Sequence, residues 1–201
     1  MIKKTVNIPT SLNDIKLRQW QELQKHMTDE TPQPEKDKAV LRVIYGLSET
    51  EQRNMTNKDK EALLLSYYKI MDTKTEFIKR FKFDGVEYGF IPDLEAITAG
   101  EFIDLEKYLS DKQTFHKALS ILYRPIIKKS GAYYNIEKYK HTHEKFKELN
   151  MGIIFGAIGF FLSLGVGLLS YIVEYSEMEK PEKIRAQRLL KVLRQNGAGI
   201  L

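Results

Sequence analysis

The stretch that decides the fold is MGIIFGAIGFFLSLGVGLLSYIV, residues 151–173, a run of 23 residues without a charged side chain. If the run is helical, its small side chains fall within about 80° of arc. They are Gly152, Gly156, Gly159, Ser163, Gly167 and Ser170. Bulky Ile, Phe, Leu and Val cover the remaining circumference, so this helix has no polar face and one smooth groove. Because this helix has no polar side for water to solvate, we expect other molecules to bury its surface.

Two environments fit this helix. At about 1.5 Å per residue the run is about 34 Å long, enough to cross a hydrocarbon core of about 30 Å. It also suits the centre of a helical bundle or ring, which we favour because the rest of the chain is largely polar. Glu174 and Glu177 extend the small-residue stripe, so the partner in the groove should offer a cation or a helix N-terminus there. We expect that partner to be another copy of the chain or a neighbouring subunit.

Composition excludes several classes of protein. A chain of 201 residues with 42% apolar residues can bury a substantial core. The absence of cysteine excludes disulfides, thiolate metal sites and a cysteine nucleophile. The net charge of +5 is weaker than the concentrated positive field of a dedicated nucleic-acid-binding protein, so nucleic acid is not an expected partner. Lys3 and Lys4 are followed by no apolar stretch, so no secretory signal is predicted.

The β component is predicted to be small. Residues 77–91 alternate apolar and polar side chains on both sides of Asp84-Gly85, which is the pattern of a two-residue hairpin turn. A second small hairpin is predicted around Ser130-Gly131. Helical periodicity dominates elsewhere, so we predict a mainly α-helical fold with a minor β part: a helical bundle with one or two small hairpins and a long apolar helix near the C-terminus.

Three regions are predicted. Residues 1–34 form an N-terminal strand, a helix and a linker. Residues 35–149 form a helical core with the hairpin at 77–91. Residues 150–201 form the long apolar helix followed by a basic amphipathic helix.

Two helices in the first half of the chain have predicted buried surfaces. Leu17, Trp20 and Leu23 mark one side of the first helix, which ends near His26. Residues 57–71 are so continuously apolar that the whole helix is predicted to lie in the core.

Two further helices are predicted in the middle of the chain. Thr98 followed by Glu101 is typical of a capping box, and opens a helix expected to bury Phe102 and Leu105. The next helix, which carries Phe115, Leu119 and Leu122, is predicted to be terminated by Pro125.

The last predicted helix, from about residue 182 to residue 195, is amphipathic. Its basic face consists of Lys180, Lys183, Arg188, Lys191 and Arg194. Such a face can bind anionic lipid, DNA or an acidic protein surface. We favour a solvated surface helix, because most charge runs have no further role.

Each candidate catalytic group has a structural explanation. Glu101 and Asp104 lie three apart on one helix and could form an acid–base pair, but the capping role already explains Glu101. His141 and His143 lie two apart, without the further ligands that zinc requires. His116 lies beside core positions and is expected to be a hydrogen-bonded buried histidine.

Sequence motifs of catalysis are absent as well. The chain has no phosphate-binding loop, no G-x-S-x-G and no H-E-x-x-H. We therefore predict a non-enzymatic protein with no cofactor and no metal. The aromatic residues Tyr123, Tyr133, Tyr134 and Tyr139 are interpreted as packing in an interface or a hairpin.

The middle of the chain resembles a known kind of viral protein. The segments are GFIPDL (89–94), TAGEFIDL (98–105), HKAL (116–119) and LYRPI (122–126). They are similar to a small protein encoded among the virion genes of tailed bacteriophages, including crAss-like gut phages. The likeness covers about residues 78–175 and carries no catalytic or binding residue with it. It implies a virion or morphogenesis context.

We therefore expect a virion component, structural or packaged cargo, that is assembled in multiple copies and delivered toward the host envelope at infection. Its expected location is the capsid or tail, and the host envelope or cytoplasm after ejection. Its expected partners are other virion proteins and further copies of itself, with membrane contact through residues 151–173. An alternative is a head or tail morphogenesis factor, an assembly chaperone that leaves before maturation. A weaker alternative is a membrane-inserting protein.

Overall fold

The computed structural model describes residues 5–93, 97–131, 133–141 and 144–175, with the backbone alone for residues 165–175. The fold is α+β, with an antiparallel sheet of four strands and with helices before, between and after its two hairpins. The helices are α1 (Leu17–Gln24), α2 (Gln33–Val43), α3 (Glu49–Arg53), α4 (Asn57–Met71), α5 (Ala99–Leu109), α6 (Phe115–Leu122) and α7 (Met151–Tyr175). The strands are β1 (Arg80–Phe83), β2 (Val86–Phe90), β3 (Tyr123–Ser130) and β4 (Tyr133–Ile136), in the spatial order β1-β2-β3-β4. Short 3₁₀ helices are Leu12–Asp14, Lys112–Thr114 and Glu144–Glu148.

The predicted turn between β1 and β2 is confirmed. Phe83 pairs with Val86 across the two-residue loop. Asp84 has a φ of 50° and Gly85 a φ of 72°. Positive φ at both central residues is the geometry of a type I′ turn, whose twist matches that of the flanking strands.

The two predicted hairpins belong to one sheet, because the residues after α6 form a strand. Tyr123 pairs with Phe90, and Pro125 pairs with Tyr88. Helix α6 ends at Leu122, shortly before Pro125, as expected of a helix that a proline terminates. The strand that contains Pro125 was not predicted. A proline has no N–H to donate to a sheet, but the carbonyl oxygen of Pro125 accepts from the backbone nitrogen of Glu137. The β part is therefore larger than predicted.

The inner face of the sheet is aromatic. The rings of Phe81 and Tyr88 are stacked 5.6 Å apart, and the ring of Phe81 meets Tyr123 edge-on at 4.9 Å. Tyr123 also meets Phe90 at 5.3 Å, and Tyr88 meets Phe146 at 5.4 Å. Such pairs each add roughly 0.5–1.5 kcal/mol beyond the burial of their area. They fix the sheet against the turn that contains Phe146.

The outer face of the sheet has no room for a side chain at Gly89. A Cβ at this position would lie 2.3 Å from Cε2 of Tyr134. The hydroxyl of Tyr134 donates a hydrogen bond of 2.7 Å to the backbone oxygen of Phe90, which holds the ring over the glycine. Tyr134 is therefore a packing residue of the sheet, whereas its neighbour Tyr133 is exposed.

The predicted buried side of α1 is confirmed. Leu17, Trp20 and Leu23 are all buried. The ring of Trp20 stacks on that of Phe115 in α6 with a centroid distance of 5.5 Å. This contact joins α1 to the helix that precedes β3.

Helix α4 has the predicted bounds, but the prediction that all of it lies in the core was wrong. Its buried residues are Leu63, Tyr67 and Ile70. Leu65 is 71% exposed. The spacing of the buried residues is that of one helix face, so α4 packs on one side in spite of its apolar composition.

Helix α5 begins with the predicted capping box. The hydroxyl of Thr98 accepts from the backbone nitrogen of Glu101, and the carboxylate of Glu101 accepts from the backbone nitrogen of Thr98. Leu105 is buried as predicted. Phe102 is exposed, so its predicted burial was wrong.

The chain divides into two compact units. The first comprises Met1–Thr73 and Lys79–Gly152, and the second comprises Lys74–Ile78 and Ile153–Leu201. In the second unit the ring of Phe77 stacks on that of Phe160 with a centroid distance of 4.0 Å. The short segment Lys74–Ile78 therefore lies along α7.

Candidate functional site

The first glycines of the predicted interface stripe contact the same chain. A Cβ at Gly152 would lie 2.3 Å from Oδ1 of Asn13, and one at Gly156 would lie 2.3 Å from the backbone oxygen of Glu76. Because glycine has no Cβ, Asn13 and the backbone of Glu76 can approach α7 closely at these two positions. The neighbours at these two positions are intramolecular, and an interface with another molecule along the stripe stays a prediction.

The rest of the stripe is described only in part. Gly159 is buried and Ser163 is exposed. Members that lie outside the described side chains are Gly167, Ser170, Glu174 and Glu177. The basic face predicted for the last helix also lies outside the described residues; it comprises Lys180, Lys183, Arg188, Lys191 and Arg194.

The described part of α7 carries both buried and exposed side chains, and Leu162 is buried between two exposed apolar residues. Ile154, Ala157 and Ile158 are buried. Phe160 is 36% exposed and Leu164 is 44% exposed. In the part of the chain that the structure describes, no helix is both long enough and apolar enough to cross a membrane.

Glu101, one member of the predicted carboxylate pair, makes two structural contacts. The carboxylate of Glu101 lies 2.8 Å from Nη2 of Arg124, and the two side chains are 12% and 11% exposed. Glu101 also accepts from the backbone of Thr98. Its oxygens thus serve an ion pair and a helix cap.

His116 is buried and hydrogen-bonded, as predicted. Its Nδ1 lies 3.3 Å from Nε2 of Gln21, which also donates to the backbone oxygen of Lys112. Its Nε2 lies 3.4 Å from the carboxylate of Glu144. The ring of His141 lies 4.3 Å from that of Tyr139, and His143 lies outside the described residues.

Sequence reasoning missed a cleft of about 220 Å³ in the first unit. It lies at the corner of the sheet where the chain leaves β4, and the backbone nitrogen of Glu137 still donates to the oxygen of Pro125 there. Its aromatic lining consists of Tyr88, Tyr123, Tyr139 and Phe146. Its cationic lining consists of Arg124, Lys138, Lys140 and Lys145.

Aromatic rings hold two of these cations. Nζ of Lys145 donates to the hydroxyl of Tyr88 and lies 5.0 Å from the centre of the same ring. The guanidinium of Arg124 lies 5.8 Å from the centre of the Tyr139 ring. The contact of Arg124 is a cation–π contact, which contributes roughly 0.5–2 kcal/mol, whereas Lys145 lies at the hydroxyl edge of the Tyr88 ring and is held there by the hydrogen bond.

Two tyrosines of the cleft remain protonated at neutral pH. Burial raises the pKa of Tyr139 to about 12, and burial also raises the pKa of Tyr123. The hydroxyl of Tyr139 is hydrogen-bonded to the side chain of Ser120, which also lines the cleft.

The cleft left a weak trace in the sequence. Tyr139 stands between Lys138 and Lys140, a pattern common on any solvated surface. The other lining residues come from β2, α6, β3 and the turn at Glu144–Glu148, so only the fold brings them together.

No protein family, curated protein or solved structure matched this chain. Among the described residues, no three His, Asp or Glu side chains cluster in a way that could hold a metal ion.

Proposed function

We propose that this chain is a non-enzymatic component of a tailed-bacteriophage virion, a structural or packaged protein that is assembled in multiple copies. The observation that carries the proposal is the apolar surface of α7. Phe160 and Leu164 are exposed on a helix that has no charged side chain between residues 151 and 173.

A surface of this kind favours association. Burying apolar area is worth about 25 cal/mol per Å², and helices of soluble monomers normally turn a polar face to water. The small-residue stripe would let a second helix approach closely where intramolecular contacts do not already fill the groove. We propose that α7 packs in this way as the long apolar element of a helical assembly, with further copies or other virion proteins as partners.

The phage context rests on the resemblance carried by residues 89–126. It supports a place in the capsid or tail, and delivery toward the host envelope at infection. In the particle, neighbouring proteins would bury the apolar helix. At infection, a component of the host envelope could replace those neighbours, because close helix packing needs no chemical reaction.

Mass spectrometry of purified particles tests the proposal directly. In particles of the phage that encodes the chain, we expect it at several copies per particle. If infected cells contain the chain and purified particles lack it, the virion assignment is wrong and a morphogenesis factor is favoured.

Substitution of the exposed end of α7 tests the surface itself. We expect Leu164→Glu to weaken self-association at least tenfold, about 1.4 kcal/mol, because a carboxylate buried in an apolar contact is costly. Leu65→Glu is the matched control, since Leu65 is exposed on α4 in the other unit. Light scattering coupled to size exclusion measures the association. Equal association of wild type and both variants would count against α7 as the contact surface.

A further inference from the structure

We propose that the cleft beside β3 binds a small organic anion, a carboxylate or phosphate attached to a flat apolar body. This inference is independent of the assembly role of α7, because all residues of the cleft belong to the first unit.

The charged residues of the cleft favour an anionic ligand. Among the described residues that line it, four are cationic and Glu137 supplies the one carboxylate. That carboxylate already pairs with Lys140, with Oε2 2.6 Å from Nζ. Arg124 likewise pairs with Glu101, so the positive charge that a ligand would meet on entering is that of Lys138 and Lys145.

The hydrogen-bonding groups point to the same class of ligand. A guanidinium has five N–H donors, and the described bonds of Arg124 engage Nε with Ile121 and Nη2 with Glu101. An ammonium has three, and the described bond of Lys145 engages one with Tyr88. Donors thus outnumber acceptors, and carboxylate or phosphate oxygens are the groups that complement them.

The fixed positions of these cations distinguish the cleft from an ordinary basic surface. Exposed lysines gain little from an anion, because they must lose side-chain entropy to bind it. Arg124 is held by Glu101 and Tyr139, and Lys145 is held by Tyr88. Donors fixed in advance cost less to order on binding.

The apolar wall and the volume limit the size of the ligand. Tyr88, Tyr123 and Phe146 are buried and line the cleft. The cleft volume of about 220 Å³ is below the roughly 300–1,000 Å³ of sites for drug-sized molecules. One flat ring with one anionic group fits these limits.

Titration of the full chain with phenyl phosphate, benzoate and inorganic phosphate tests the proposal. With calorimetry or NMR, we expect saturable binding of one or both aromatic anions, at least tenfold tighter than that of inorganic phosphate. Comparison of benzoate with phenyl phosphate identifies the preferred anionic group. Equal affinity for inorganic phosphate would show that the apolar body plays no part. Lack of saturation by every probe up to about 10 mM, a free energy of about −3 kcal/mol, would overturn the site altogether.

Variants locate the binding. Lys145→Met is expected to weaken phenyl phosphate at least tenfold. Lys138→Met is a second cleft variant, and its exposed side chain makes misfolding no concern. Lys82→Met is the control, because Lys82 is an exposed lysine of β1 that does not line the cleft. Loss of affinity in the cleft variants with retention in the control supports the site. Equal affinity in all three variants would place the binding elsewhere and overturn it.

Discussion

Replacing Glu101 by alanine is expected to lower the free energy of unfolding by about 3–5 kcal/mol, because it leaves a buried cation without its partner. The carboxylate lies 2.8 Å from Nη2 of Arg124, and both side chains are nearly inaccessible to water. The substitution also removes the acceptor for the backbone nitrogen of Thr98 at the start of α5. Chemical denaturation followed by circular dichroism measures the loss.

Two control variants separate the ion pair from the helix. Glu106→Ala changes an exposed glutamate on the same helix and should shift stability by no more than about 0.5 kcal/mol. Arg124→Met tests the pair from the other side. It leaves the carboxylate of Glu101 without its cation, but that carboxylate still accepts from the backbone nitrogen of Thr98, so the cost should be smaller than that of Glu101→Ala. If Glu101→Ala proves as mild as Glu106→Ala, the pair is not a stabilising element of the fold.

Features determined by a few neighbouring residues could be predicted from the sequence. The Asp84-Gly85 turn follows from the need for positive φ at both positions. The cap formed by Thr98 and Glu101 follows from side chains three residues apart. In both cases the chemistry and the structure lie within one turn of chain, so no distant residue can override them.

Features determined by distant partners were missed. Residues 123–126 form a strand because β2 is available beside them, and the sequence shows only a proline after an apolar helix. Apolar content likewise overestimated the burial of α4, because burial depends on which side meets another element and Leu65 meets none that covers it.

The cleft was beyond prediction for the same reason. Its cations and rings come from separate segments that each resemble an ordinary surface. Arg124 in particular has two partners, Glu101 and Tyr139, that no local pattern connects to it. The stripe on α7 was visible as a groove, and the structure adds that Asn13 and Glu76 occupy its first part.

Replacing Gly156 by alanine is expected to destabilise the second unit by about 1–3 kcal/mol, the usual cost of overpacking. The added Cβ would lie 2.3 Å from the backbone oxygen of Glu76 and 3.0 Å from its carbonyl carbon. Backbone atoms cannot rotate away as a side chain can, so the segment Lys74–Ile78 must move from α7. Hydrogen exchange measured by mass spectrometry should become faster in peptides that cover this segment and the start of α7.

Gly100→Ala is the matched control, and its expected effect has the opposite sign. Gly100 lies in α5 with open space where a Cβ would be, so alanine should raise stability by up to about 1 kcal/mol. Measurements on monomeric and assembled samples also distinguish packing within the chain from packing between chains. Because the obstructing atoms belong to the same chain, Gly156→Ala should speed exchange in a dilute monomeric sample as much as in an assembled one. Faster exchange in the assembled sample alone would mean that a neighbouring molecule, and not Glu76, sets the size limit at Gly156.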